Sequence, residues 1–126
     1  MKGLLAAVFL LAGPAAAVPP QVVVVHLANF RFTPSAIVLE RGQSYALTLV
    51  NDSGGGHSFA APAFFAASGL PASERARLED GREVELDGHT SVTLHLTAPA
   101  TPATFKFKCT HSMHNLFGMN GNIVVR

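Results

Sequence analysis

Three potential metal ligands occur at regular intervals in one segment near the C-terminus, Cys109-x4-His114-x4-Met119. An alternating run at residues 105–108 precedes this segment and an apolar run at 123–125 follows it, so we expect a loop between two strands. Thiolate, imidazole and thioether groups are soft or borderline ligands that together favour copper over hard cations. A trigonal copper site with a long axial methionine uses two histidines and one cysteine. One further histidine must therefore come from a distant part of the chain.

His57 is the best candidate for this second histidine. It directly follows residues 51–56, a run of Asn, Asp, Ser and Gly whose composition predicts a loop. His26 and His95 lie inside predicted strands, and His89 follows an Asp-Gly turn. Folding can place the loop before His57 beside the loop after Cys109, whereas the other three positions fit a metal site less well.

A single cysteine also has simpler explanations. Cys109 could be a buried core thiol or an intermolecular disulfide partner. Met119 could be ordinary core packing, and His57 a polar loop residue. The paired cysteines of structural zinc sites and of a binuclear copper centre are both absent from the sequence. Ligation of one copper ion remains the preferred interpretation because all the donor types occur at suitable spacing.

The N-terminal residues predict a secretory signal peptide over 1–17. Lys2 precedes an apolar run at 4–11, and alanines at 15–17 provide small residues for cleavage. The apolar run is too short to span a bilayer, and no later stretch is long enough. Residues 18–126 would then form one domain in an oxidising compartment, which we expect to be the periplasm.

The charge balance of the chain excludes some partners. The sequence has nine basic and eight acidic residues, and removal of Lys2 with the signal peptide leaves eight of each. A nucleic-acid-binding protein needs a basic stripe to neutralise phosphates, and none is present. We therefore expect no nucleic-acid partner.

Short strand-like runs separated by turn residues predict an all-β sandwich. They lie at residues 21–29, 37–39, 44–50, 83–86, 90–97, 105–108 and 123–125, with a bend at 30–34. Residues 62–80 are the exception, since prolines and a glycine interrupt them, and Ser73 could cap a short helix through Glu79. In the run before the metal-ligand segment, Phe105 and Phe107 share parity with Cys109, so the thiol should point inward.

These motifs together resemble the cupredoxins, which are small secreted blue copper proteins. The resemblance includes the Cys109-x4-His114-x4-Met119 segment leading through Asn120-Gly121 into a last strand. It also includes the loop carrying His57 and the Phe30-Arg-Phe32-Thr-Pro34 run that leads to a Gly-containing turn. The C-terminal segment is the specific part, and the three parts span most of residues 18–126.

The resemblance implies a Greek-key β-sandwich with one copper ion per chain. His57, Cys109 and His114 would be the equatorial ligands and Met119 the weak axial ligand. Similar proteins also commonly carry Asn or Ser after the first histidine, so Ser58 would connect the two ligand loops by hydrogen bonds.

His111 is an alternative to His114 as the second equatorial histidine. Cys109-x-His111 is a tighter spacing than similar proteins use, which favours His114. His111 and Met113 nevertheless make the segment richer in soft donors than one site requires. A second, exposed copper ion could bind there weakly.

Two functions follow from these expectations. The first is a monomeric one-electron carrier that docks redox partner proteins through apolar residues near His114. The second is copper tolerance, storage or delivery to copper acceptor proteins, which the extra donors suggest. We do not expect an enzyme, because a site whose four positions are filled by protein leaves none open for substrate.

Overall fold

A computed structural model describes Gly3, Ala7, Val8 and residues 18–126 of the chain. Apart from Gly3, Ala7 and Val8, the predicted signal peptide, 1–17, lies outside the described residues, and it stays a prediction. Among the helices of the described residues, none combines the length and the apolar composition needed to cross a membrane.

The described residues form nine strands and three short helical segments. The strands are β1 (Gln21–Ala28), β2 (Arg31–Thr33), β3 (Ala36–Leu39), β4 (Ser44–Asn51), β5 (His57–Ala60), β6 (Glu83–Leu86), β7 (Ser91–Thr97), β8 (Ala103–Lys108) and β9 (Asn120–Val125). The helices are α1 (Pro62–Ala67), α2 (Ala72–Arg75) and a 3-10 turn at Asn115–Phe117. This composition confirms the predicted all-β class.

The strands form two sheets that pack as a sandwich. One sheet has the order β2-β1-β4-β7 and the other β3-β9-β8-β5-β6. The pairs β1–β4 and β3–β9 are parallel, and the remaining pairs are antiparallel. Because β5, β8 and β9 are neighbours in the second sheet, the loop before β5 and the loop between β8 and β9 lie at the same end of the sandwich.

The core follows the alternation of the strands. In β7, Leu94 and Leu96 are buried while His95 between them is exposed, as the sequence pattern predicts. In β8, Phe107 is fully buried and Cys109 continues on the same inward face. Phe107 stacks on Phe59 with ring centroids 4.8 Å apart, so an aromatic layer lies beneath the end of the sheet that carries Cys109.

The insertion predicted over 62–80 lies between β5 and β6 and contains both α-helices. The predicted helix with a Ser73 cap is wrong in detail. Helix α2 begins at Ala72 with Pro71 as its N-cap and has no side-chain cap. The chain then bends, because Leu78 is buried and Asp80 and Gly81 both adopt positive φ.

The bend predicted at 30–34 is a turn followed by a strand. Phe30 adopts a left-handed φ of 66°, and the chain then enters the short strand β2. Phe32 is buried, which explains why this segment pairs with β1 rather than remaining an exposed bend. The turn at residues 29–30 therefore sits at the end of β1, where both of its side chains reach the candidate site.

Candidate metal centre

His57, Cys109 and His114 lie together at one end of the sandwich. His57 is the first residue of β5, and Cys109 directly follows β8, which is antiparallel to β5. The pair Ala60–Lys108, the last residues of the two antiparallel strands, sets the register, so the start of β5 lies beside the residues that follow β8. The sheet thus brings together two residues that are 52 positions apart in the sequence.

The three donor atoms have the separations that a single metal ion requires. All lie within 4.8 Å of one another. His57 Nδ1 is 3.2 Å from His114 Nδ1 and 3.9 Å from Cys109 Sγ, and the distance from His114 Nδ1 to the sulfur is 3.4 Å. An ion about 2.0–2.3 Å from each atom of a trigonal set would hold them about 3.5–3.8 Å apart. The residues therefore fit copper in donor type and in spacing.

Met119 lies at the base of the loop that carries the other two ligands. Its side chain is fully buried, and its backbone carbonyl accepts the N–H of Cys109 at 3.1 Å. Its own N–H donates to the carbonyl of His114 at 3.1 Å. These two backbone bonds tie the base of the loop to Cys109 and His114. The axial role of Met119 stays a prediction.

The surroundings of the His57 imidazole favour its neutral form. Burial, together with the nearby His114 and His111, lowers the pKa of His57 below its ordinary value of 6.5. Its Nδ1 faces the other two donors, so Nε2 would carry the proton when Nδ1 binds a metal. Nε2 lies 3.3 Å from Oδ1 of Asn29, which accepts that proton's hydrogen bond and selects the tautomer with Nδ1 free to bind metal.

Asn29 provides a test of this orientation. Replacing it with alanine removes the hydrogen-bond acceptor for His57, and we expect copper affinity to fall by about tenfold. Losses of about 10–100-fold are typical for residues that hydrogen-bond a metal ligand. We expect the smaller loss here because Asn29 is exposed. Asn29→Asp keeps an acceptor oxygen and should retain nearly normal affinity. Competition against a chelator of known affinity measures both variants. Equal losses in the two variants would contradict the orienting role.

The loop before His57 is organised by Asn51. This side chain is almost completely buried, and its amide nitrogen donates to the carbonyls of Gly55, Leu86 and Asp87 at 2.9, 3.2 and 3.1 Å. Its amide oxygen accepts the N–H and the hydroxyl of Ser53. Asn51 therefore fixes the entry of His57 into β5.

The sulfur of Cys109 is fully buried and accepts a hydrogen bond from the other ligand loop. The backbone N–H of Ser58 donates to Sγ at 3.3 Å. The Ser58 hydroxyl accepts the N–H of Thr110 at 2.8 Å, so Ser58 does connect the two loops. A donor to the sulfur stabilises negative charge there and helps to set the redox behaviour of a bound metal.

His114 lies at the surface edge of the site among apolar side chains. Phe30 packs edge-on against its imidazole with ring centroids 5.3 Å apart and also contacts Phe117 at 5.0 Å. Leu116 is 79% exposed, and Met113 is exposed beside it. His114 itself is half-buried, so its ring connects the buried sulfur side of the site to an exposed apolar surface.

His111 is engaged elsewhere. Its Nε2 lies 2.6 Å from a carboxylate oxygen of Glu85, although its ring centroid is only 5.4 Å from that of His114. Within residues 18–126, one group of three or more His, Cys, Asp or Glu side chains is close enough to share an ion. This group consists of His57, Cys109 and His114. The geometry therefore favours His114 over His111 as the equatorial histidine.

Sequence reasoning missed Asn29, Phe30, Asn51 and Thr110. In the sequence, Asn51 is one of several turn-forming residues in the run 51–56. Only its burial in the structure separates it from the others. Asn29 and Phe30 act across 28 or more positions, and no local pattern points to such contacts. An Asn-Phe turn at the end of a valine-rich strand is the only available signal, and it is weak.

The sequence model of the cupredoxin-like domain family matches residues 3–125 of the chain. No curated protein matches it significantly in sequence.

The fold is similar to those of three solved auracyanin structures. An auracyanin from Roseiflexus castenholzii, reduced with sodium dithionite, is 18% identical with a TM-score of 0.62, covering 87% of this chain and 99% of that one. Auracyanin B is 21% identical with a TM-score of 0.62, and the match covers 89% of this chain and 93% of auracyanin B. Auracyanin A from Chloroflexus aurantiacus, described as a "blue" copper protein, is 18% identical with a TM-score of 0.62, covering 86% and 100%. At these identities the likeness shows a shared fold.

Proposed function

Because this chain belongs to the family of cupredoxin-like domains, we propose that it is a blue copper protein that carries single electrons. The ligands would be His57, Cys109, His114 and Met119. The observation that carries the proposal is the convergence of two imidazole nitrogens and one thiol sulfur within 4.8 Å. When bound, copper would supply the Cu(I)/Cu(II) couple.

The protein residues around the site suit electron transfer because they are already in place. His57 is oriented by Asn29, and the loop before it is held by Asn51. Cys109 and Met119 are joined by a backbone hydrogen bond at the base of their loop. A site whose ligands do not move accepts and releases an electron with little rearrangement. With four protein ligands there is no open position for substrate, which argues against an enzyme.

The apolar surface around His114 supports transient docking of a redox partner. Leu116, Phe117, Met113 and Phe30 are exposed there in a group. Small, largely apolar interfaces suit weak redox encounters with short contact times. An electron would enter or leave through the His114 ring, since it lies between this surface and the sulfur.

Further parts of the proposal concern location and assembly. The N-terminal sequence favours export to the periplasm through the predicted signal peptide, 1–17. We also propose that the protein works as a monomer, which leaves the surface near His114 free for partners.

Copper loading of the purified protein tests the proposed function. We expect one copper per chain and an intense visible absorption from thiolate-to-copper charge transfer. The colour should disappear on chemical reduction and return on oxidation, over repeated cycles, without loss of metal. Stoichiometric copper without this absorption, or zinc instead of copper after growth in copper-rich medium, would contradict the proposal.

Copper tolerance, storage or delivery is the second candidate. The exposed thioether of Met113, two residues after His111, provides a donor outside the main cluster and favours this alternative. A delivery protein should pass Cu(I) readily to an acceptor protein or to a moderate-affinity chelator. An electron carrier should retain its copper under the same conditions and keep cycling.

A further inference from the structure

Ser58, Thr110 and Glu83 form a hydrogen-bond chain whose inner end lies beside the sulfur of Cys109. We propose that the carboxylate of Glu83 sets the direction of the protons in this chain, and that it thereby limits the hydrogen bonds accepted by the sulfur to one. Glu83 would then be a positioning residue that keeps the reduction potential of the site low. The inference rests on the proposed function, because a potential exists only when copper is bound.

The chain runs from the surface into the buried site. The hydroxyl of Thr110 lies 2.6 Å from Oε2 of Glu83, and the same hydroxyl oxygen is 2.9 Å from the hydroxyl oxygen of Ser58. Ser58 Oγ lies 3.8 Å from Cys109 Sγ. Ser58 is fully buried, so no solvent can replace these partners at the inner end of the chain.

The direction of the protons follows from what each group can donate. A glutamate carboxylate has no proton to give, so the Thr110 hydroxyl donates to Glu83. The Thr110 oxygen is then free to accept the proton of Ser58, which lies at an ideal distance for a hydroxyl pair. The Ser58 oxygen already accepts the backbone N–H of Thr110 at 2.8 Å. The Ser58 proton therefore points toward Thr110 and away from the sulfur.

The consequence concerns the charge on the sulfur. In this arrangement the sulfur accepts the backbone N–H of Ser58 alone among these groups. If the Ser58 proton turned toward the sulfur, a second hydrogen bond would withdraw electron density from the thiolate. This change would stabilise the more negative, reduced state of the site and raise its potential.

The register of the sheet explains why these residues meet. Ala60 pairs with Lys108 in these antiparallel strands. Ser58, two residues before Ala60, therefore lies opposite Thr110, two residues after Lys108. On the other side of β5, Ala60 pairs with Glu83 of β6, and Ser58 pairs with Glu85. Glu83 therefore lies two positions from the residue opposite Ser58, and its side chain reaches the Thr110 hydroxyl diagonally across the start of β5.

Thr110→Val is the direct test, because it removes the hydroxyl while keeping the shape of the side chain and the charge of Glu83. The copper-loaded variant should show a more positive reduction potential than the wild type and a shifted charge-transfer band. Adding Ser58→Ala to Thr110→Val should remove this increase, because the alanine keeps the backbone N–H but has no proton to redirect. An unchanged potential in Thr110→Val would overturn the proposal. So would a Thr110→Val substitution that raises the potential as much in the Ser58→Ala background as in the wild type.

Glu83→Gln tests the role of the carboxylate. Any loss of negative charge near the site raises the potential, so Glu85→Gln, two residues along the same strand, serves as the charge control. Because Glu85 also pairs with His111, His111→Ala is measured beside it to show what loss of that pair alone does to the potential. We expect a larger rise for Glu83→Gln than for Glu85→Gln, and we expect the excess to disappear in a Ser58→Ala background. Equal rises in reduction potential in the two Gln variants would contradict the proposal that Glu83 sets the direction of the protons in the hydrogen-bond chain.

Proton NMR separates this inference from the proposed function. The Ser58 hydroxyl proton should show close contacts to Thr110 in the metal-free wild type and to the Cys109 β-protons in Thr110→Val. This measurement needs no copper, so it stands even if the wild type fails to develop the visible band. Contacts to Cys109 already present in the wild type would overturn the inference.

Discussion

Cys109→Ser is expected to abolish the intense visible absorption of the copper-loaded protein completely. The band requires a thiolate sulfur bonded to copper, and Cys109 is the sole cysteine in the chain. A serine hydroxyl is a hard, protonated donor that cannot supply this transition. Copper affinity should also fall steeply, because the two histidines and the methionine would remain without their anionic partner.

His111→Ala is the matched control for this prediction. His111 belongs to the same loop but is paired with Glu85, so the variant should keep the visible band and one copper per chain. Absorption spectra and metal analysis of both proteins measure the outcome. Retention of the band in Cys109→Ser, or its loss in His111→Ala with the fold intact, would identify the wrong ligand.

Asn51→Ala should destabilise the protein by about 3 kcal/mol. The substitution removes the side-chain donor to three backbone carbonyls and the acceptor for Ser53. The bond to the Leu86 carbonyl is buried, and a buried group that loses a partner carries its desolvation cost. The same loss should loosen the loop that positions His57, so copper affinity should decrease as well. Denaturant unfolding of the metal-free protein measures the first effect without interference from copper.

Asp52→Ala provides the control for Asn51→Ala. Asp52 is the next residue, and its exposed carboxylate pairs with His26 at 2.7 Å. Exposed ion pairs contribute little, so this variant should change the unfolding free energy by less than about 1 kcal/mol. Similar losses in the two variants would mean that the Asn51 hydrogen bonds are not the source of the stability.

Much of the site could be predicted from residue types and local spacing. Cys109, His114 and Met119 occur on one loop, and their donor chemistry suggests copper without knowledge of the fold. The inward direction of Cys109 follows from its parity with Phe107, because side chains alternate strictly along a strand. The position of His57 after a loop-forming run was a weaker inference, and the structure places its Nδ1 3.2 Å from Nδ1 of His114.

The all-β class was also predictable, but the arrangement of the strands was not. Alternation and turn residues indicate where strands begin and end, and they contain no information about which strands become neighbours. The order β3-β9-β8-β5-β6 is what puts Ser58 between Cys109 and Glu83. The short helix was misplaced because it begins at Ala72, directly after Pro71 and without a side-chain cap, and ends at Arg75.

The printed residues alone determined which atoms can hold a metal, since donor type belongs to each side chain and spacing within a loop is local. The tertiary structure decided which groups orient those donors. Asn29 reaches His57 across 28 positions, and Glu83 reaches Thr110 across 27. Such contacts depend on strand register and loop direction, which arise when the whole core packs, and no short stretch of sequence contains them.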